Sequence, residues 1–183
     1  MKKILFICLT LASVSQLSAQ KIYMSKTGTA WFDAGTGMED ITGTNKSVIC
    51  AFKPATGDMQ FSVKIKSFEF WSQLLQEHFN ENYMESDKYP NSIFKGKVTN
   101  MDKVNVAKDG TYPVTVSGTL EIHGVQKQVE TKGTLKVAGD NISATSEFVV
   151  VLDDYKIAIP SVVKDKLSKT AKIKINCTFT AQK

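Results

Sequence analysis

Two histidines, a few carboxylate clusters and two late cysteines are the residues of this chain whose types could do chemistry. His78 falls on the apolar stripe of a short helical segment with Glu77 and Glu81 close by, and His123 precedes Gly124 in a hairpin turn. A metal site needs several nitrogen, sulfur or carboxylate ligands at matched spacing, and neither histidine has them. His78 reads as a capping or half-buried side chain and His123 as a turn residue. Asp153 and Asp154 are adjacent, so in extended chain they point to opposite sides, which suits a solvated turn better than paired acid–base work. Glu81, Glu85 and Asp87 share a loop but lack EF-hand spacing. No serine sits in a Gly-x-Ser-x-Gly turn, and no glycine-rich loop joins a strand to a helix. These patterns point to no catalytic residue, no metal and no cofactor.

The elements that carry these residues are mostly strands. Turn signals recur at Ala34-Gly35, Pro54 to Asp58, Asp109-Gly110, His123-Gly124 and Gly139-Asp140-Asn141. Between them Lys21–Asp33, Ser47–Lys53, Met59–Ser67, Ser92–Met101, Tyr112–His123, Lys127–Ala138, Ile142–Leu152 and Ala171–Ala181 alternate apolar and polar side chains. Eight such strands predict an all-β, antiparallel, up-and-down barrel. The period changes once, in FEFWSQLLQEHFNENYMESDKYPNSIFKG from Phe68 to Gly96, where Trp71, Leu74, Leu75, His78 and Phe79 take helical spacing. Tyr89-Pro90 then restarts extended chain. One helix inserted among strands covers an end or side of the sheet, whose apolar face must be buried. A second short helix is expected over Ser161–Ser168, with Pro160 at its start and Val162, Val163 and Leu167 on one face.

Strand phase names an interior. Phe61, Val63 and Ile65 share a face, as do Phe94 and Val98, Val116 and Leu120, and Ile173 and Ile175; Leu135 and Phe148 complete the set. Gly96, Gly118 and Gly133 interrupt these rows, either for close backbone approach or to leave room inside. Trp71, Leu75, Phe79 and Tyr155 are expected around the mouth. The rings of Phe68, Phe70, Trp71, Phe79, Tyr83, Tyr89 and Phe94 read first as a plug beneath the helix. Cys50 and Cys177 both sit on the apolar phase of their strands. They either form a disulfide or pack as buried free thiols, and the second state is slightly preferred because the sequence does not say whether the two strands lie within bridging range.

Composition narrows the partners. All 23 basic residues are lysine, which argues against nucleic-acid readout and against bidentate anion recognition, where the arginine fork is favoured. The lysines scatter along the polar phase of the strands, as a solvated outer face does; transient contact with anionic membrane surfaces is the weaker alternative. Lys2-Lys3, the apolar run Ile4 to Leu11 and Leu17-Ser18-Ala19 form a signal peptide over residues 1–19. The run is shorter than the about 20 residues that span a bilayer. The chain from 20 to 183 is then one exported domain, soluble and periplasmic or otherwise outside the cytoplasm.

The run LLQEHFNENYMESDKYPNSIFKG and the later VSGTLEIHGVQKQVETKGTLKV resemble the YceI-like family of lipid- and polyisoprenoid-binding proteins. Tyr89, Pro90, Phe94, Gly96, Gly118, Leu120, Ile122, Gly124, Val125 and Lys127 carry the resemblance, which spans roughly Lys21 to the C-terminus. GTAWFDAGTGMED departs from the commonest pattern, as in a divergent branch. The resemblance implies a lipocalin-like barrel, and a lumen that holds an isoprenoid, quinone or other long-chain lipid against the interior residues named above. Two alternatives remain: a filled barrel acting as an envelope interaction or stress-response module, and an enzyme acting on a lipid beside His78.

Overall fold

The computed structural model describes residues 21–182; the expected signal peptide lies outside the described residues. The chain forms strands β1 (Tyr23–Gly35), β2 (Thr42–Lys53), β3 (Asp58–Lys64), β4 (Phe68–Glu69), β5 (Asn91–Val98), β6 (Gly110–Ile122), β7 (Val125–Ala138), β8 (Asn141–Val151) and β9 (Leu167–Ala181), with one α-helix, α1 (Gln73–His78). Every pairing is antiparallel. Each long strand pairs with the next along the chain, and β9 returns to β1, so the eight long strands close into a barrel. β4 adds only Phe68 and Glu69 beside Asn45 and Thr44 of β2. Closure removes the open edges that an eight-strand sheet would otherwise expose.

The two ends differ. One carries the turns Lys53–Asp58 and Ala138–Asn141 and the connection from Val98 to Gly110. It is packed solid: Phe52, Phe179, Leu135, Ile142 and Val48 are fully buried, with the rings of Phe52 and Phe179 5.9 Å apart. The other end carries the β1–β2 loop, the insertion from Ile65 to Pro90, the His123-Gly124 turn and the loop from Leu152 to Lys166. Its extra chain covers the barrel interior.

Cys50 and Cys177 form a disulfide, with Cα atoms 6.8 Å apart, which corrects the preference for free thiols. The strands they occupy, β2 and β9, are not neighbours; β1 lies between them. The bridge passes over β1 at Gly28, which sits where the β1 register shifts against both neighbours. A bulge and a residue without a side chain are what let two second-neighbour strands reach one another. The sequence could not show that both strands flank a third.

Three further differences have local causes. The expected strand Met59–Ser67 stops at Lys64 and turns through a 3₁₀ segment, Ile65–Ser67. The fully buried Asn45 side chain fills that break, donating to the Lys64 carbonyl at 2.9 Å while its own carbonyl accepts from the Ser47 amide at 2.8 Å. The expected helix over Ser161–Ser168 shrinks to one 3₁₀ turn, Ser161–Val163. Leu167 pairs with Gly35 and the Thr36 amide donates to the Lys166 carbonyl, so ladder bonds claim the segment first. Gly96 and Gly118 face each other across β5 and β6. A Cβ on Gly96 would come within 2.8 Å of the Gly118 Cα, so this pair serves close strand approach and leaves no space for a guest.

Candidate functional site

Above the packed end the barrel is hollow. A cavity of about 710 Å³ runs up to the covering insertion, within the range usual for small-molecule pockets. Its floor is aromatic: Phe61 lies 6.2 Å from Phe94 and 6.3 Å from the buried ring of Phe179. The walls alternate inward as strand phase requires. Of the expected interior residues, Phe61, Val63, Ile65, Phe94, Val116, Leu120, Leu135, Phe148, Ile173 and Ile175 border this space. Val98 does not. It is buried in the packed end, where β5 closes against Gly57 and Val116.

Of the expected mouth residues, Leu75, Phe79 and Tyr155 border the cavity and Trp71 does not. Trp71 is 67% exposed, and its indole N–H donates to the Asp40 carbonyl at 3.0 Å, fastening the insertion to the β1–β2 loop. The chain reaches α1 by extended backbone at Ser72, so the helix starts at Gln73, too late to place Trp71 on its inner face. α1 then widens into a π-turn over Phe79–Tyr83, which swings Phe79 among Phe32, Phe68 and Phe70 with ring centroids 4.9–5.4 Å away. The expected aromatic plug is therefore divided: one cluster holds the insertion down, Phe94 lies in the floor, and Tyr89 stands beside His123. Phe32, with Ala30 and Ala34 on the same phase of β1, also borders the cavity. The alternation Ala30, Phe32, Ala34 was the signal for it, though two of its three members are small.

His123 does more than turn a hairpin. Its ring is buried, with Nδ1 3.1 Å from the Tyr155 carbonyl and Nε2 3.1 Å from Glu85 Oε1, and it packs edge-on against Tyr89 at 4.6 Å. Both oxygens accept, so the two contacts are made together when both ring nitrogens carry hydrogen. Glu85, His123 and Lys156 are the described non-glycine residues with left-handed backbone, at φ 41°, 52° and 58°, a conformation uncommon outside glycine. All three lie where the insertion, the β6–β7 hairpin and the loop after β8 meet. The hydrogen bond with His123, reinforced by Lys88, holds the Glu85 carboxyl below its ordinary range, while burial raises the Tyr155 phenol. Nothing in the spacing of these residues announced the cluster.

His78 borders the cavity on the inner side of α1, and among the described residues no carboxylate lies within hydrogen-bond reach of it. Asp154 pairs with Lys127 at 3.6 Å and Asp87 with Lys66. Among the described residues no group of three His, Cys, Asp or Glu side chains could hold a metal ion. The site offers shape and mainly apolar surface, with polar side chains such as Gln128, Glu130, Thr131 and Thr134 bordering it along β7.

The model of the YceI-like domain matches residues 18–179. The chain belongs to the YceI-like family. No curated protein matches this YceI-like chain. Among solved structures, a polyisoprenoid-binding domain from Saccharophagus degradans, implicated in plant cell wall breakdown, superposes with a TM-score of 0.76 at 15% identity, covering 88% of this chain and 98% of that one. BcnA from Burkholderia cenocepacia gives 0.68 at 14% identity, over 84% and 96%. A mutant YceI protein from Campylobacter jejuni with a monobromobimane guest gives 0.61 at 18%, over 80% and 87%. At such identities the likeness is one of fold. No helix among the described residues of this YceI-like barrel is long and apolar enough to cross a membrane.

Proposed function

We propose that this YceI-like protein is an exported carrier that holds one amphiphilic isoprenoid, quinone or similar long-chain lipid in its lumen. The observation that carries the reading is the apolar cavity of about 710 Å³ over a sealed aromatic floor. A water-sized site takes roughly 30 Å³, and a methylene is of similar size, so the space suits about two dozen carbon-sized groups. Burial contributes ~0.8 kcal/mol per methylene, against an association cost of about 4–15 kcal/mol. A chain of ten carbons roughly breaks even, and a longer one binds without strong polar contacts. The ligand is therefore long. Export rests on the sequence of residues 1–19, and the Cys50–Cys177 disulfide suits an oxidising compartment. A polyisoprenoid-binding relative with the same fold supports the ligand class.

Native mass spectrometry of protein purified from its own cells, followed by organic extraction, tests this. A discrete added mass that extracts as a prenyl lipid or quinone is expected. A clean apo mass, with no uptake of offered quinones or polyprenols, would overturn the carrier reading in favour of an interaction module.

A further inference from the structure

The barrel wall is not continuous. β7 pairs with β6 along its whole length, from Val125 to Gly110's partner Val137, but it pairs with β8 only from Ala138–Asn141 to Gly133–Ser146. Beyond Ser146, residues up to Val151 of β8 pair with β9 alone, and those from Val125 to Lys132 of β7 pair with β6 alone. The two strands diverge toward the covered end and leave a slot in the wall.

The cavity reaches through that slot. In a closed wall only alternate residues of a strand meet the lumen, as Ala30, Phe32 and Ala34 do. On the two flanking strands consecutive residues border the cavity, 127–131 of β7 and 148–152 of β8 beside the slot and 133–135 and 144–146 just below it. The lower corner is pinned by Ser146 Oγ donating to the Lys132 carbonyl at 2.8 Å, and the top is spanned by the Lys127–Asp154 pair. Outside, the flanking strand presents Val149 and Val151, 60% and 43% exposed. The covered end is crossed by the Lys166–Glu39 pair at 2.9 Å, by the bond from Trp71 to Asp40 and by His123, which ties three loops together.

We propose that the slot between β7 and β8 is the lateral portal of the lumen. An amphiphile threads its chain through it and leaves a small uncharged, oxygen-bearing head between the two open strand edges. This rests on the carrier reading. Alternate backbone N–H and C=O groups of each diverged strand face the gap without a ladder partner, and they supply donors and acceptors to a hydroxyl or carbonyl. Of the charged side chains nearby, Lys127 pairs with Asp154 and Glu147 with Lys174, while Glu130 borders the cavity with no ion-pair partner among the described residues, so an anionic head is disfavoured there.

The test is to staple the slot shut. Continuing the Gly133–Ser146 register sets Glu130 opposite Val149 and Gln128 opposite Val151. The pairs Glu130→Cys/Val149→Cys and Gln128→Cys/Val151→Cys are made separately and joined with a bifunctional thiol reagent. Uptake of geranylgeraniol is timed against the same variant with its two thiols blocked singly. Stapling is expected to slow uptake at least tenfold in whichever variants fold, and to trap ligand loaded beforehand. Equal rates with and without the staple would overturn the portal while leaving the carrier reading standing. No uptake by the wild-type protein would instead overturn the carrier reading, and the portal with it.

Discussion

Glu85 and His123, 38 residues apart in the chain, are joined by a 3.1 Å contact that fastens the helical insertion to the β6–β7 hairpin. The other ring nitrogen of His123 faces the Tyr155 carbonyl, so one side chain braces three loops over the cavity. His123→Ala removes the partner of a buried carbonyl. An orphaned buried acceptor costs about 1–3 kcal/mol, and at this size each kcal/mol lowers Tm by roughly 2–4 °C. A drop of that order in a thermal melt is expected. An unchanged Tm would mean that the brace is dispensable.

The same contact sets a pH dependence. Glu85 is held below its ordinary carboxylate range by the hydrogen bond with His123 and by the Lys88 charge. Its folded pKa lies under its unfolded one, so its contribution is present above the unfolded value of about 4.3 and is lost as pH falls through the folded value. Stability should therefore decline on acidification through that window, and Glu85→Gln should flatten the decline. Melts at stepped pH compare the two. Parallel curves would remove Glu85 from the account.

Gly28 and the Cys50–Cys177 bridge form a second tight relationship. A Cβ at residue 28 would lie 2.8 Å from Cys50 Sγ and closer still to Cys177 Sγ. Gly28→Ala is expected to cost about 1–3 kcal/mol as overpacking. The bridge closes a span of 127 residues, and replacing both cysteines with alanine should cost about 2–5 kcal/mol. In that background the Gly28→Ala penalty should shrink, because the obstructing sulfurs are gone. A double-mutant cycle by denaturant unfolding reads the coupling; additive losses would refute the contact.

The sealed floor predicts a length limit. Prenyl alcohols should bind more tightly with each added isoprene unit up to about C20–C25, the capacity set by a cavity of about two dozen carbon-sized groups. Longer chains should gain little, since their surplus stays in water. Phe61→Ala, which cuts away the floor, should move the break to longer chains, and Ala144→Leu, which fills the lower wall, to shorter ones. Competition binding across the series measures the break. An affinity that keeps rising to C40 would show that the floor opens.

Much of this protein was written in local pattern. Strict alternation marked the eight long strands, because a half-buried strand must put every second side chain inside, and most of the interior residues named by that phase border the cavity. The change of period at Trp71–Phe79 marked the covering helix. What required the tertiary structure was every relation between segments that are not adjacent in sequence. Alternation says which face a cysteine takes, but not that Cys50 and Cys177 flank a common strand with Gly28 between them. It cannot say where a ladder stops, since Lys127–Lys132 alternates as well beside the slot as it would in a closed wall. It also hid His123, a turn residue by local chemistry, whose role exists only because Glu85 and Tyr155 are carried to it by two other loops.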